Sequence, residues 1–196
     1  MRTLWDRRAA ARGHLGVVPT TWNQDRYDLE TGEWWARLSK LLLAKQLPET
    51  SRLLDYGCGT GRFTRLLDEH FEAHGVDQSS EMLRLASGAR YDQIGPGERI
   101  PAPDDYFDIL WTCTVLQHVP DTQLKAVAAE IRRVLRPGAT VLLCENTHEH
   151  PFRASGSGHM VFRRPEEYVV LFSGITVVDT FIAEDERHTI LLGDLV

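Results

Sequence analysis

The sequence predicts an α/β fold with a mostly parallel sheet, and three stretches carry that expectation. In residues 52–67, R-L-L-D-Y-G-C-G-T-G-R-F-T-R-L-L, Leu53 and Leu54 read as the end of a buried strand with Asp55 at its carboxyl tip. Glycines follow at 57, 59 and 61, and Thr60 opens an amphipathic helix with Phe63, Leu66 and Leu67 on one face. Residues 123–145 pair a helical stripe, which stops at Pro137-Gly138, with a strand that begins at Ala139. Near the end, 175–181 and 188–192 are strand-like runs joined by the charged turn Glu184-Asp185-Glu186. Strands this close pair as a hairpin, since parallel neighbours need a longer crossover, so one lies antiparallel to the rest.

A length of 196 residues suits one domain with a substantial core, divided here into a helical cap over 1–47 and an α/β core over 48–196. Residues 1–27, with Trp5, Trp22 and Tyr27, show no clean period and read as a short helix and a loop. From 28 to 46, Leu29, Trp34, Trp35, Leu38, Leu41 and Leu42 recur at helical spacing, and Leu47-Pro48 ends the run. Residues 71–77 read as a second strand ending in Asp77, 80–87 as a helix ending at Gly88, and 90–94 as a third strand. The turn-rich segment 98–106 leads into a fourth strand through Ile109 and Leu110. Helix 123–135 shows Leu124, Val127, Ala128, Ile131, Val134 and Leu135 on one face, and 166–172 reads as a short helix before the final hairpin.

A net charge of −6 disfavours nucleic-acid binding, which calls for a basic face. The longest apolar run near the N-terminus, Leu41-Leu42-Leu43-Ala44, is far too short to span a membrane. Residues 1–8 lack the apolar core and cleavage site of a signal peptide, so the expected location is the cytoplasm. Cys58, Cys113 and Cys144 are widely separated and show no paired metal or redox spacing.

The spacing of the glycine loop narrows its ligand. Glycines let backbone N–H groups approach a ligand closely. The dinucleotide pattern G-x-G-x-x-G/A meets Arg62 at its third position, and a phosphate loop would need a Gly-Lys pair that the chain lacks. What remains, D-x-G-x-G-x-G after an apolar strand, resembles the first motif of the class I S-adenosylmethionine-dependent methyltransferases, of the methyltransferase domain 11 and small-molecule type. Two later segments resemble the same family in the same order. Residues 98–121 contain I-P-A-P-D-D-Y-F-D-I-L and V-L-Q-H-V-P-D, and residues 130–143 read E-I-R-R-V-L-R-P-G-A-T-V-L-L. The resemblance implies a Rossmann-like, seven-stranded sheet with one antiparallel strand and helices on both faces.

It also implies a cofactor site. Asp55, Gly57, Cys58, Gly59 and Gly61 would form the cradle. Asp77, 22 residues beyond Asp55, would accept from both ribose hydroxyls; its other reading is a helix cap. Gln78 and Met82 would flank the adenine, with Gly97 and Glu98 over it. Many members carry an adenine-binding Asp where this chain has Pro96. Thr112, Cys113 and Thr114 would line the methionine end. His118 either anchors its loop or takes part in catalysis.

The polar stretch 146–164 leaves a core strand at its carboxyl end, where ligands of open α/β sheets gather. Its histidines suit loop positions, and Glu145, His148 and His150 are candidate general bases. H-x-H in such a loop matches no common zinc pattern, so no metal is expected. Trp22, Tyr27, Arg153 and Arg163 are candidate acceptor contacts, the arginines for an anionic group. The expected activity is methylation of an O or N atom of a small molecule, giving S-adenosylhomocysteine. A peptide or RNA methyltransferase is the nearer alternative, and a noncatalytic binding protein of the same fold the more distant one.

Overall fold

The computed structural model describes residues 4–95, 97–153 and 160–196. Its elements are α1 (Leu4–Arg12), α2 (Gln24–Leu43), β1 (Arg52–Tyr56), α3 (Thr64–Leu67), β2 (Glu72–Asp77), α4 (Ser80–Leu83), β3 (Arg90–Gln93), β4 (Phe107–Cys113), α5 (Asp121–Val134), β5 (Leu135–Asn146), β6 (Phe152–Arg153), β7 (Val161–Phe162), α6 (Pro165–Leu171), β8 (Ile175–Ala183) and β9 (Glu186–Asp194). Seven strands form one sheet in the order β3-β2-β1-β4-β5-β9-β8. β9 is antiparallel to both neighbours, so it alone runs against the rest. The expected sheet, with its single reversed strand, is thus observed.

Neighbouring residues on a strand point to opposite faces, and the sheet uses this alternation to build two cores. Leu53, Ile109, Trp111 and Leu142 meet Trp34, Leu38 and Leu42 of α2 on one face. Leu54, Leu110, Val141 and Leu143 meet Leu124, Val127 and Ile131 of α5 on the other. Near-continuous apolar runs are what a strand buried on both faces requires.

Several boundaries differ from expectation. The helix expected from Thr60 begins only at Thr64, because positive φ at Gly57, Gly59 and Gly61 (78°, 57° and 73°) keeps the chain in turns until then. The helix expected over 80–87 is the single stretch Ser80–Leu83. α2 starts at Gln24 rather than near 28, since Asn23 caps it by accepting the Arg26 N–H at 3.0 Å. β5 starts at Leu135, which pairs with Phe107, so Pro137-Gly138 lies within the strand's span. The two-stranded β6–β7 sheet was not expected.

The terminal hairpin turns on Glu184 and Asp185, whose consecutive positive φ values (52° and 61°) match a right-handed hairpin twist. β8 is an edge strand whose register shifts between Val177 and Asp179, and Asp179 pairs with Arg37 of α2 at 2.6 Å. Trp22 Nε1 donates to Glu184 at 3.0 Å, which joins the cap to the hairpin. Among the described residues, no helix is long and apolar enough to cross a membrane.

His188 of β9 is buried between Trp34 and Phe181, with ring centroids 4.7 Å and 5.2 Å away. Burial holds its pKa down at about 4. With the folded value below the unfolded one, the unfolded chain binds the proton first, and stability is lost as pH falls from about 6.5 towards 4. Replacing His188 by Phe removes this component. The stability difference between wild type and His188→Phe, measured by urea unfolding, is expected to shift against wild type by about 2–3 kcal/mol between pH 7.5 and pH 4.5.

Candidate active site

The carboxyl ends of β1, β2 and β4 open into a cleft of about 490 Å³. At this position in an open α/β sheet no helix covers the strand ends, so ligands bind there. The glycine loop leaves β1 and is held by β2, the N–H groups of Gly57 and Cys58 both donating to the Val76 carbonyl at 2.8 Å and 3.1 Å. A Cβ on Gly57 would stand 2.3 Å from Val115, and one on Gly59 would stand 2.6 Å from Val17. These glycines are required by close packing as well as by their left-handed φ.

Two carboxylates flank the loop. Asp77 Oδ2 accepts the Gly59 N–H at 2.9 Å and Oδ1 accepts the Ser79 N–H at 2.8 Å. Burial raises its pKa, and these bonds oppose the rise. Asp55 is buried and accepts from Thr64 Oγ1 at 2.6 Å; burial pushes it up to about 7.

The cap closes one side. Leu4, Trp5 and Arg7 of α1 line the cleft together with Val17. Asp6 accepts from Ser79 Oγ at 2.6 Å, which fastens α1 to the start of α4. Arg12 donates to the carbonyls of Leu15, Val18, Pro19 and Trp22 at 2.8–3.1 Å, so one guanidinium shapes the whole connection to α2. Trp5 meets the His118 ring edge-on at 5.0 Å.

His118 sits on a loop clamped from both sides. Glu145, fully buried at the end of β5, accepts the Val115, Leu116 and Gln117 N–H groups at 3.1–3.2 Å and Thr112 Oγ1 at 2.9 Å. Arg163, 1% exposed, donates to the Leu116 and Val119 carbonyls at 2.9 Å and 2.7 Å and to Asp121 at 2.7 Å. An acid thus takes the loop's N–H groups and a base takes its carbonyls. Gln117 completes the clamp by accepting the Asn146 N–H at 2.9 Å.

Residues 54–143 match the family model described as a methyltransferase domain. Over these residues the chain is similar to the class I S-adenosylmethionine-dependent methyltransferases. S-adenosylmethionine is the cofactor of that family. The chain is 38% identical over 95 residues to malonyl-[acyl-carrier protein] O-methyltransferase of Serratia marcescens, an alignment covering 46% of this chain and 36% of the relative. It is 33% identical over 129 residues to trans-aconitate 2-methyltransferase of Azoarcus sp., covering 63% and 50%. The chain therefore spans about a third to a half of the length of these curated relatives. Phosphoethanolamine N-methyltransferase 2 of Haemonchus contortus, solved in complex with S-adenosyl-L-methionine, shares the fold with a TM-score of 0.64 at 17% identity, over 80% of this chain and 52% of that one.

Within the methyltransferase domain, the cleft gathers Asp55, Gly57, Cys58, Gly59, Asp77, Gln78, Met82, Cys113, Thr114 and His118. Gly61 stands behind the loop against Tyr91, 2.6 Å from where its Cβ would be. Gly97 and Glu98 lie off the cleft wall, where Glu98 accepts the Gly95 N–H at 2.7 Å. Pro96 and the side chain of Arg153 are outside the described residues.

Seven other assignments are at odds with burial or placement. Glu145 cannot act as a base, since its oxygens are fully buried and engaged by the loop, and Thr112 is buried against it. His148 and His150 are exposed, the His148 ring bonding the His150 backbone away from the cleft. Arg163 is buried in the loop clamp rather than free for an acceptor. Trp22 and Tyr27 are buried in a cluster with Val18, not in the cleft wall. Among the described residues, no group of three or more His, Cys, Asp or Glu could hold a metal. The sequence reading passed over Trp5 and Arg62. Arg62 had served only to reject the dinucleotide pattern, while its place directly after the third glycine was the available signal.

The clamp yields a prediction. Glu145→Gln replaces one acceptor oxygen by an NH2 group facing backbone donors. It is expected to cost about 2–4 kcal/mol in urea unfolding, with faster amide exchange concentrated at residues 115–117.

Proposed function

We propose that this domain transfers a methyl group from S-adenosylmethionine to an oxygen or nitrogen atom of a small molecule. The observation that carries the reading is the meeting of the glycine loop and Asp77 at one cleft, joined by the Gly59 N–H bond to Asp77. Asp77 Oδ2 accepts from Gly59 and Oδ1 from Ser79, and the carboxylate's remaining lone pairs suit ribose hydroxyls. Gln78, Met82 and Ile94 would flank the adenine, and Cys113 and Thr114 the methionine end. Bound there, the cofactor supplies a sulfonium methyl whose C–S bond breaks as the bond to the acceptor forms, the electron pair remaining on sulfur.

The protein's share is to align the acceptor and keep water out. Trp5 and Leu4 cover the cleft from the cap side. His118 lines it with a pKa held at about 4, chiefly by burial and secondarily by the Arg8 charge. At neutral pH this imidazole is uncharged and a weak base, so it orients an acceptor rather than removing a hydroxyl proton. An attacking atom without an acidic proton, a neutral amine or a carboxylate, fits that environment. The cleft volume, the acidic net charge and relatives named for malonyl and trans-aconitate acceptors support a small molecule over a peptide or RNA.

Asp77→Ala is expected to weaken S-adenosylmethionine and S-adenosylhomocysteine binding by about 1.5–3 kcal/mol in calorimetric titration. Release of S-adenosylhomocysteine beyond one equivalent per chain separates an enzyme from a noncatalytic binder. A folded wild-type chain that binds neither ligand would remove the cofactor from the reading.

A further inference from the structure

Cys113 and Cys144 are far apart in sequence, but the sheet brings them together as the last pair of the β4–β5 register. In-register residues on neighbouring strands point to the same face, and both thiols lie on the side packed by α2. The two are hydrogen-bonded to each other, and that bond, with burial, holds the Cys144 thiol well above its ordinary value.

They differ in access. Cys144 is fully buried, whereas Cys113 lines the cleft. Arg62 lines it too, close enough for a charge on the Cys113 sulfur to act on it. Access and a neighbouring cation mark the cysteines that react. Cys58 also lines the cleft, but burial first, and then the Asp55 and Asp77 charges, hold its thiol well above its ordinary value.

A disulfide spans Cα atoms about 4.4–6.8 Å apart, and paired strands lie about 4.8 Å apart. The register ends at this pair, and Thr114 then turns the chain with a φ of 57°. A small rotation at the end of β4 therefore brings the sulfurs together without deforming the middle of the sheet.

We propose that Cys113 and Cys144 are an oxidation site for hydroperoxides, closing to a disulfide that weakens cofactor binding in the cleft. With hydrogen peroxide, the Cys113 sulfur attacks one oxygen; the S–O bond forms as O–O breaks, and the second oxygen leaves as water with the thiol proton. The Cys144 sulfur then attacks the sulfenic sulfur; S–S forms, S–O breaks, and the hydroxyl leaves as water with the Cys144 proton. The thiol pair loses two electrons, and the peroxide is reduced to two molecules of water. Thr114 and Val115 follow Cys113, and Val115 packs where a Cβ on Gly57 would stand. Drawing Cys113 towards Cys144 shifts both residues and loosens the methionine end of the site. This consequence rests on cofactor binding in the cleft; the oxidation itself does not.

The test treats the reduced wild-type chain with hydrogen peroxide. Intact mass, peptide mapping and calorimetric titration with S-adenosylhomocysteine are recorded before treatment, after it, and after dithiothreitol. Cys144→Ser, which keeps the side chain's size, is treated in the presence of dimedone to trap a sulfenic acid. The wild-type chain is expected to lose two hydrogens, with Cys113 mapped to Cys144. Its S-adenosylhomocysteine affinity falls about tenfold and returns with dithiothreitol. In Cys144→Ser the dimedone adduct maps to Cys113.

A chain that stays reduced in excess peroxide, or oxidation that maps to Cys58, overturns the proposal. So does a Cys113–Cys144 disulfide that leaves the affinity within about twofold. A reduced chain that does not bind S-adenosylhomocysteine is a different failure: it removes the cofactor reading and the switch with it, while the mapped bond still reports whether the pair oxidises.

Discussion

The site depends on one buried carboxylate. Glu145 lies at the end of the interior strand β5 and gathers three consecutive backbone N–H groups from the loop after β4. An ionised group in this position would be costly alone, yet each of its bonds is charge-assisted and replaces water. The loop in turn supplies Val115, which packs where a Cβ on Gly57 would stand, and His118, which meets Trp5 of the cap. Displacing Glu145 would disturb the glycine loop and the cap together, although it touches neither.

Division of labour between the two faces of the sheet follows from strand alternation. α5 seals one face and α2 the other, and their cores share no buried residue. α2 has a second task, because its Tyr27, Thr31 and Trp34 surround Arg62. The same helix that closes the core thus holds Arg62, whose side chain lines the cleft, so core packing and the shape of the cleft are coupled through a single amphipathic element.

Much of this architecture was legible in the residues. Buried strands announced themselves as apolar runs, and the closeness of 175–181 to 188–192 required the reversed strand. Asp77 and the loop glycines were readable because their spacing reflects a local strand–turn–helix geometry. Long-range partnerships left no such trace. Glu145 and Arg163 looked like candidates for chemistry because charge is visible in a sequence, while the backbone groups that consume it belong to a loop some thirty to fifty residues earlier. The helix start at 60 and the helix end at 87 were misplaced because positive-φ glycines and a single-turn helix do not alter apolar period.

The shifted register in β8 bears on how the molecule behaves beside its own copies. An outermost strand carries a row of unpaired donors and acceptors that can template a foreign strand, and Val177, Val178 and Ile182 are exposed on this one. The extra residue before Asp179 breaks the even repeat that such templating needs, and the Asp179 pair with Arg37 places charge at the break. Resistance to sheet-to-sheet aggregation is therefore concentrated at one irregular position, far from any chemistry.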